Sequence, residues 1–500
     1  MSLGQLSLFN RAEAYASKVA IIDEHQYYTY EQLLLRSRHI ARCVLKGNED
    51  LQEIRIAFMI APGYDYTATQ WGIWQAGGIA VPLCPSHPLP ALEHVLQDSQ
   101  AEILIVSEAY KAKVQPLLQQ CSVEFYTLEE LQDMDQDPTS PLPSIPSHRK
   151  AMIIYTSGTT QLPKGVVSTH DNLEAQLLSL SEAWQWQPND HILNVLPLHH
   201  VHGIVNILLC ALWNGATCEF AGEFSPTKVW DKFSEGRINV FMAVPTVYYQ
   251  LLQRYHHADA EKQQLWSDCL QGFRLMVSGS AALPVNILEQ WREISGHTLL
   301  ERYGMTEIGM ALSNPYEGER RPGHVGQALP KVEVRLVNEN GNLCQEKEPG
   351  EIQVKSPCIF QEYWQKPEAT QEAFTDDGWF KTGDIALVEQ GSYKILGRNS
   401  VDIIKSGGYK ISALEIEEVL RQHPQVKECA VVGIADEKWG ECVAAALIWD
   451  TGEAFALAQF KEWAETHLPS YKIPSKVKLV EALPRNAMGK VTKNELKKEF

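Results

Sequence analysis

Residues 155–165 read Tyr155-Thr156-Ser157-Gly158-Thr159-Thr160-Gln161-Leu162-Pro163-Lys164-Gly165, directly after the apolar run Ala151-Met152-Ile153-Ile154. The run predicts a buried strand, and residues 156–165 predict a polar loop dense in hydroxyls with glycine and one lysine. Glycine lets backbone N–H groups approach phosphate oxygens, hydroxyls donate hydrogen bonds, and lysine supplies a point charge. The order is not that of a Walker loop, which needs Gly, four residues and then Gly-Lys-Ser/Thr; here Pro163 and Lys164 precede Gly165. On its own such a stretch is an ordinary turn, so its meaning depends on the segments around it.

Working outward, short apolar runs at 101–106, 151–155, 191–196, 240–244 and 274–277 alternate with helical patterns such as 246–255 and 285–294. That alternation predicts an α/β fold with largely parallel sheets. Residues 138–149, rich in Pro and Ser, predict an exposed connection. From about residue 325 the texture changes. Alternating strands at 332–337 and 351–355 flank Asn340-Gly341, a strong hairpin-turn signal, and predict a small antiparallel subdomain over 325–397. A second shift falls near Gly397-Arg398. Beyond it, a strand at 402–404, a Gly-Gly turn, an amphipathic helix over 413–421 and strands at 429–434 and 443–449 predict a compact α+β unit of about a hundred residues.

The chain has 500 residues, which favours more than one domain. Asp and Glu outnumber Lys and Arg by 62 to 44, a formal charge of −18, so general nucleic-acid binding is not expected. Any anionic substrate must be drawn in by local positive groups against that field. The ten cysteines form no C-x-x-C pair and are expected to be free thiols rather than zinc ligands or disulfides. No apolar stretch approaches the roughly 18 residues of a membrane span. The first ten residues show neither a secretory nor an Arg-rich leader pattern, so a cytoplasmic protein is expected unless an organellar leader has been removed.

Seven segments occur in order: 155–165; Pro197-Leu-His-His-Val-His-Gly203; Ser278-Gly-Ser-Ala281; Tyr303-Gly-Met-Thr-Glu307; Lys381-Thr-Gly-Asp384; Gly397-Arg398; and Pro484-Arg-Asn-Ala-Met-Gly-Lys490. Together they resemble the motif series of the adenylate-forming superfamily of acyl-CoA synthetases, luciferases and peptide-synthetase adenylation domains, over almost the whole chain. The resemblance implies an ATP-dependent acid–CoA ligase using ATP, Mg²⁺ and coenzyme A. It implies a large N-terminal domain (1–397), a hinge at 398–402 and a mobile C-terminal domain (403–500). Thr156, Ser157, Gly158, Thr159, Thr160 and Lys164 would cover the ATP phosphates. Gly279, Ser280, Ala281 and Tyr303 would hold adenine. Thr306 would bond the α-phosphate, Glu307 would ligate Mg²⁺ with Thr156 nearby, and Asp384 would accept from the ribose with Arg398 assisting. Lys490 would stabilise charge as the substrate carboxylate attacks the α-phosphate. In the other pose of the C-terminal domain, Ser406, Gly407 and Gly408 would approach a CoA channel gated by His200, while His199 packs structurally. The hinge lies between Ser400 and Asp402, in a segment one residue longer than usual.

Relatives often carry a small residue just before the Tyr of the fourth segment, and here Arg302 stands there. A guanidinium in an acyl pocket needs an anion beside it, and its planar fork matches a carboxylate. Residues 301–329 resemble malonyl-CoA synthetases, which implies a dicarboxylic acid, malonate or methylmalonate, held by Arg302 with His202, Ser278 and Met305. Arg302 paired instead with Glu301, Glu307 or a surface acid, and His202 as plain pocket wall, stay open at this point. So do a ligase for another small, aromatic or medium-chain acid, an adenylation enzyme loading a carrier protein in trans, and a catalytically silent nucleotide binder.

Overall fold

The computed structural model describes residues 6–24, 26–156, 163–407, 409–450, 455–486 and 489–500. Two large sheets form the N-terminal part. In one of nine strands, Leu300–Met305, Leu275–Ser278, Val240–Ala243, His191–Asn194, Thr217–Phe220 and Val19–Asp23 lie side by side and parallel, with antiparallel strands added at both edges. In the second, of seven strands, Lys150–Thr156, Ile79–Pro82, Arg55–Met59, Ile103–Val106 and Glu124–Thr127 are parallel, and Lys164–Thr169 turns back antiparallel. Central strands such as Val240–Ala243 are buried on both faces, which is why they read as unbroken apolar runs rather than alternating ones. The helices predicted at 246–255 and 285–294 are Pro245–His256 and Val285–Ser295. Trp291 of the second is fully buried, and Trp230 stacks on Trp266 at 4.8 Å beneath it.

Four antiparallel strands, Glu333–Val337, Gly350–Lys355, Phe380–Glu389 and Ser392–Arg398, make the small β layer. Two details differ from expectation. Gln327–Ala328 and Glu362–Tyr363 join the two large sheets, so 325–397 is not one separate subdomain. Asn340-Gly341 does not join its strands directly. The side chain of Asn338 accepts from the N–H groups of Asn340 and Asn342 and organises a longer connection.

After Arg398 come the strand Ile403–Ser406, the helix Ala413–Leu420, and a long antiparallel pair, Val426–Asp436 with Gly440–Trp449, against which Lys476–Leu479 lies parallel. All ten cysteines are free. Among the described residues no helix is long and apolar enough to cross a membrane.

Candidate active site

Parallel strands point their carboxyl ends the same way, so the loops that follow them converge. The loops after His191–Asn194, Val240–Ala243, Leu275–Ser278 and Leu300–Met305 line a cleft of about 1520 Å³, whose other wall is the C-terminal unit. Thr156, Lys164, His200, His202, Ser278, Ser280, Ala281, Arg302, Tyr303, Met305, Thr306, Glu307, Asp384, Arg398 and Lys490 all face it. Ser157, Gly158, Thr159, Thr160 and Gly408 lie outside the described residues.

The end of the cleft that the sequence assigns to the acid is built around Arg302, only 4 % exposed. Burial pulls its guanidinium down to about 9, which leaves it charged at pH 7. Among the described residues no carboxylate lies within ion-pairing distance of it; its one polar contact is Nη2 donating to Ser280 Oγ at 3.3 Å, and Nε has no partner. The pairing with Glu301 or Glu307 that the sequence left open is therefore absent. A Cβ on Gly279 would lie 2.5 Å from the guanidinium carbon, so glycine there lets the chain pass flat beside it. Ser278 Oγ and His202 Nε2 are likewise buried and without a hydrogen-bond partner among the described residues. His202 opens a π-helical segment, His202–Leu209, and Nδ2 of Asn194 donates to the carbonyl of Gly203 at 3.2 Å, steadying its first turn. Burial, reinforced by the Arg302 charge, lowers the pKa of His202 well below 6.5, so the ring is neutral.

Ser280, read from the sequence as an adenine residue, turns its hydroxyl toward the acid end, 3.1 Å from His202 Nδ1. His200 lines the cleft, while His199 packs behind it, its ring tilted by 53° with centroids 4.2 Å apart, and takes no part in the lining.

At the end that the sequence assigns to the nucleotide, Asp384 and Arg398 face each other across the antiparallel pair Phe380–Glu389 and Ser392–Arg398. Arg398 Nε donates to Asp384 Oδ1 at 3.0 Å, and Tyr303 donates its hydroxyl to Oδ2 at 2.6 Å. Carboxylate oxygens carry spare lone pairs, so Asp384 can still accept from a further hydroxyl. Thr156 and Lys164 pair across the antiparallel strands Lys150–Thr156 and Lys164–Thr169, and the Lys164 ammonium sits 5.0 Å from the centre of the Tyr363 ring.

Tyr363 also donates to Glu307 Oε1 at 3.0 Å, which orients that carboxylate; burial pushes the carboxyl upward. A single oriented carboxylate suits Mg²⁺, a hard cation that completes its shell with phosphate and water oxygens. Among the described residues no group of three or more His, Cys, Asp or Glu could hold a metal by itself, so protein ligands alone would not suffice.

Lys490 enters from the C-terminal unit. Its turn is fixed by Asn486, whose Oδ1 accepts from the Lys490 N–H at 3.0 Å. The side chain is exposed to the water of the cleft, yet protein surrounds it and Arg302 and Arg398 face it. Desolvation first, then those two cations, lower its pKa to about 8. Ser406 and Gly407 do not reach this cleft; the Gly407 N–H donates to the Trp439 carbonyl on another side of the unit. Tyr363, and Thr246 at the start of the helix Pro245–His256, belong to the site without having been expected. Neither sits in a stretch whose residue types suggest chemistry.

Comparison with known proteins agrees with this geometry. The family described as AMP-binding enzyme matches residues 8–364, and its C-terminal domain matches residues 415–490. A mitochondrial malonate–CoA ligase of Xenopus laevis is 46% identical over 533 residues, covering 99% of this chain and 92% of that protein. A malonate–CoA ligase of Arabidopsis thaliana is 39% identical, covering 98% of this chain and 88% of that protein. Among solved structures, ATP-bound MatB from Rhodopseudomonas palustris superposes with a TM-score of 0.91 at 32% identity, covering 99% of this chain and 98% of that one. The apo form of the same protein gives 0.82, so the arrangement seen here lies nearer the ATP-bound form.

Proposed function

The chain belongs to the AMP-binding enzyme family, and from that premise we propose that it is a malonate–CoA ligase, forming malonyl-CoA, AMP and pyrophosphate through a malonyl-adenylate. The observation that carries the substrate is the set of donors at the acid end. Arg302 Nε, Ser278 Oγ and His202 Nε2 are all buried with no partner among the described residues, and burying donors unpaired is costly. A carboxylate on the far end of the substrate accepts from all three and supplies the anion that a buried guanidinium lacks. A monocarboxylic acid leaves them unsatisfied. Relatives named for malonate align over nearly the whole chain.

One carboxylate oxygen of malonate attacks the α-phosphorus of ATP, and the bond to the β-phosphate bridging oxygen breaks with pyrophosphate leaving. Lys490 faces this end and offsets the charge that builds up there; Thr306 donates to the α-phosphate; Asp384, held by Tyr303 and Arg398, takes the ribose hydroxyls. Glu307 would hold Mg²⁺, which supplies further charge neutralisation at the phosphates. No protein nucleophile is needed, because catalysis is positioning and electrostatic stabilisation. The thiol of CoA then attacks the acyl carbon, loses its proton, and AMP departs. For this second step we take 398–402 as the hinge about which the unit 403–500 turns, bringing Ser406, Gly407 and Gly408 to the CoA path beside His200.

Pyrophosphate release with ATP and a panel of malonate, methylmalonate, succinate, propionate and benzoate tests the reading. Malonate or methylmalonate should lead; a preference for propionate or benzoate would overturn the dicarboxylate assignment. For location we propose a compartment that keeps ten free cysteines reduced, the cytoplasm or an organelle interior, to be decided by fractionation.

A further inference from the structure

The helix Val285–Ser295 follows directly on the segment that carries Ser278, Gly279 and Ser280, and its first N–H groups face the cleft between the two units. A helix start leaves N–H groups without intrahelical partners. Pro284, at the N-cap, has no side chain that can cap them, and none does. The acceptor comes from the C-terminal unit instead: Glu418 Oε1 takes the Val285 N–H at 2.9 Å.

Glu418 lies on the helix Ala413–Leu420 beside two other glutamates with different tasks. Glu415 pairs with Lys472 at 2.8 Å and, at 4.0 Å, with Lys394 of the N-terminal part; Glu417 pairs with Lys493 at 2.7 Å and Arg421 at 3.1 Å within the C-terminal unit. Of the three, Glu418 is the one that takes a backbone N–H of the acid-binding wall, with Arg421 3.8 Å from its other oxygen. A carboxylate at a helix N-terminus gains both a charge-assisted hydrogen bond and the favourable end of the helix dipole. Glu301 also lines the cleft and feels the Glu418 charge; burial, with a smaller push from Glu418, raises its carboxyl to about 8, so it is neutral at pH 7.

We propose that Glu418 is a positioning residue for adenylate formation: its bond to Val285 latches the C-terminal unit in the pose that carries Lys490 into the cleft. The bond exists only while the two units sit this way, so rotation for the thioester step breaks it. The latch stabilises one half-reaction's pose and contributes nothing to the other.

The inference rests on the adenylate reading above, and the test separates the two. Acyl-adenylate formation from ATP and malonate is measured in a single turnover; thioester formation is measured separately from synthetic malonyl-AMP and CoA. Wild-type activity in both halves is the control for the reading itself. Glu418→Ala should slow the first half on the order of tenfold and leave the second within twofold. Glu418→Gln, whose amide oxygen still accepts, should fall between the two. Val285→Pro approaches the same bond from its other side. It deletes the donor at the first helical position, where proline fits, and Pro284 before it is already extended at ψ 134. It should reproduce the Glu418→Ala pattern, and the double variant should be no slower than either alone. Equal losses in both half-reactions, or an adenylation rate within twofold of wild type in both single variants, would overturn the latch.

Discussion

Ser280 Oγ stands 3.1 Å from Nδ1 of His202. The same oxygen accepts from Arg302 Nη2 at 3.3 Å. Arginine only donates, so one lone pair of the hydroxyl is taken. Two arrangements remain with the neutral imidazole: the hydroxyl donates to Nδ1 and the ring proton sits on Nε2, the buried atom with no partner among the described residues, or an Nδ1–H donates to the second lone pair. Only the first makes His202 a donor toward a bound carboxylate, and Ser280 then holds the tautomer, a positioning role of the kind outer hydrogen bonds play elsewhere.

Ser280→Ala removes that contact while sparing the three side chains proposed to meet the distal carboxylate, Arg302, His202 and Ser278. The malonate kcat/KM should drop about tenfold, in line with one lost hydrogen bond to a charged network. Ser280→Thr should keep most of it. Nitrogen NMR of the His202 ring gives the independent readout: the wild type should show the Nε2–H form, and the alanine variant a mixture. An unchanged tautomer with unchanged kinetics would remove Ser280 from the mechanism.

Arg302 tests the substrate itself. Arg302→Ala leaves the distal carboxylate in a buried pocket without its cation, a loss of about 3–5 kcal/mol, or two to three orders of magnitude in malonate kcat/KM. Arg302→Lys should recover part, since an ammonium cannot reproduce the planar fork. Propionate efficiency should stay level or rise in Arg302→Ala. The ratio of malonate to propionate efficiency is the number to measure, and a ratio that survives the substitution would show that another group reads the second carboxylate.

Lys493 governs the C-terminal unit. It is 8 % exposed and pairs with Asp402 at 2.6 Å and Glu417 at 2.7 Å, while Asp402 Oδ2 accepts from the Arg398 N–H at 3.0 Å. The last helix is thereby tied to the segment proposed as hinge. Lys493→Met leaves Asp402 without its cation and Glu417 with Arg421 alone, in a mostly buried place, and should destabilise the unit by about 3 kcal/mol. Thermal unfolding should split into two transitions, the earlier one belonging to 403–500, and limited proteolysis should cut first near 398–402. A single transition at the wild-type temperature would mean the pair contributes little.

Much of this was legible in the sequence because parallel sheets convert linear order into a site. Ser278, Met305 and the loop after Asn194 are separated in the chain but stand at the ends of neighbouring strands whose apolar runs are easy to read. The illegible parts are meetings between segments. Glu418 and Val285 are 133 residues apart, Tyr363 and Glu307 are 56 apart, and nothing local marks either partner. The π-helical turn at His202 was hidden for another reason: Gly203-Ile-Val-Asn-Ile-Leu-Leu209 is apolar but for Asn206, and such a run does not declare its period. Asn340-Gly341 misled because Asn338 offered the backbone a side-chain acceptor that a two-residue hairpin lacks.

The pH dependence of the first half-reaction should be set by Lys490. On the proposed mechanism its charged form stabilises the transition state, and in the free enzyme its pKa is lowered from 10.5 to about 8. A lysine acts as a cation below its pKa, so adenylation kcat/KM, which reports the free enzyme, should fall as pH rises through about 8 rather than through the usual lysine range. With ATP bound, the triphosphate favours the ammonium form, and the limb in kcat should move upward. Glu301, near 8, and Arg302, near 9, titrate in the same region, so the assignment needs its own control. Lys490→Arg supplies it: the guanidinium stays charged beyond about pH 10, and the alkaline limb should flatten even though the rate is lower. Lys490→Ala should abolish malonyl-AMP formation and still turn synthetic malonyl-AMP into malonyl-CoA, because the proposed hinge motion withdraws this lysine for the second step. A Lys490→Arg enzyme that keeps the limb near pH 8 would assign it to Glu301 or Arg302, and a Lys490→Ala enzyme that loses both half-reactions equally would remove the lysine's restriction to the first.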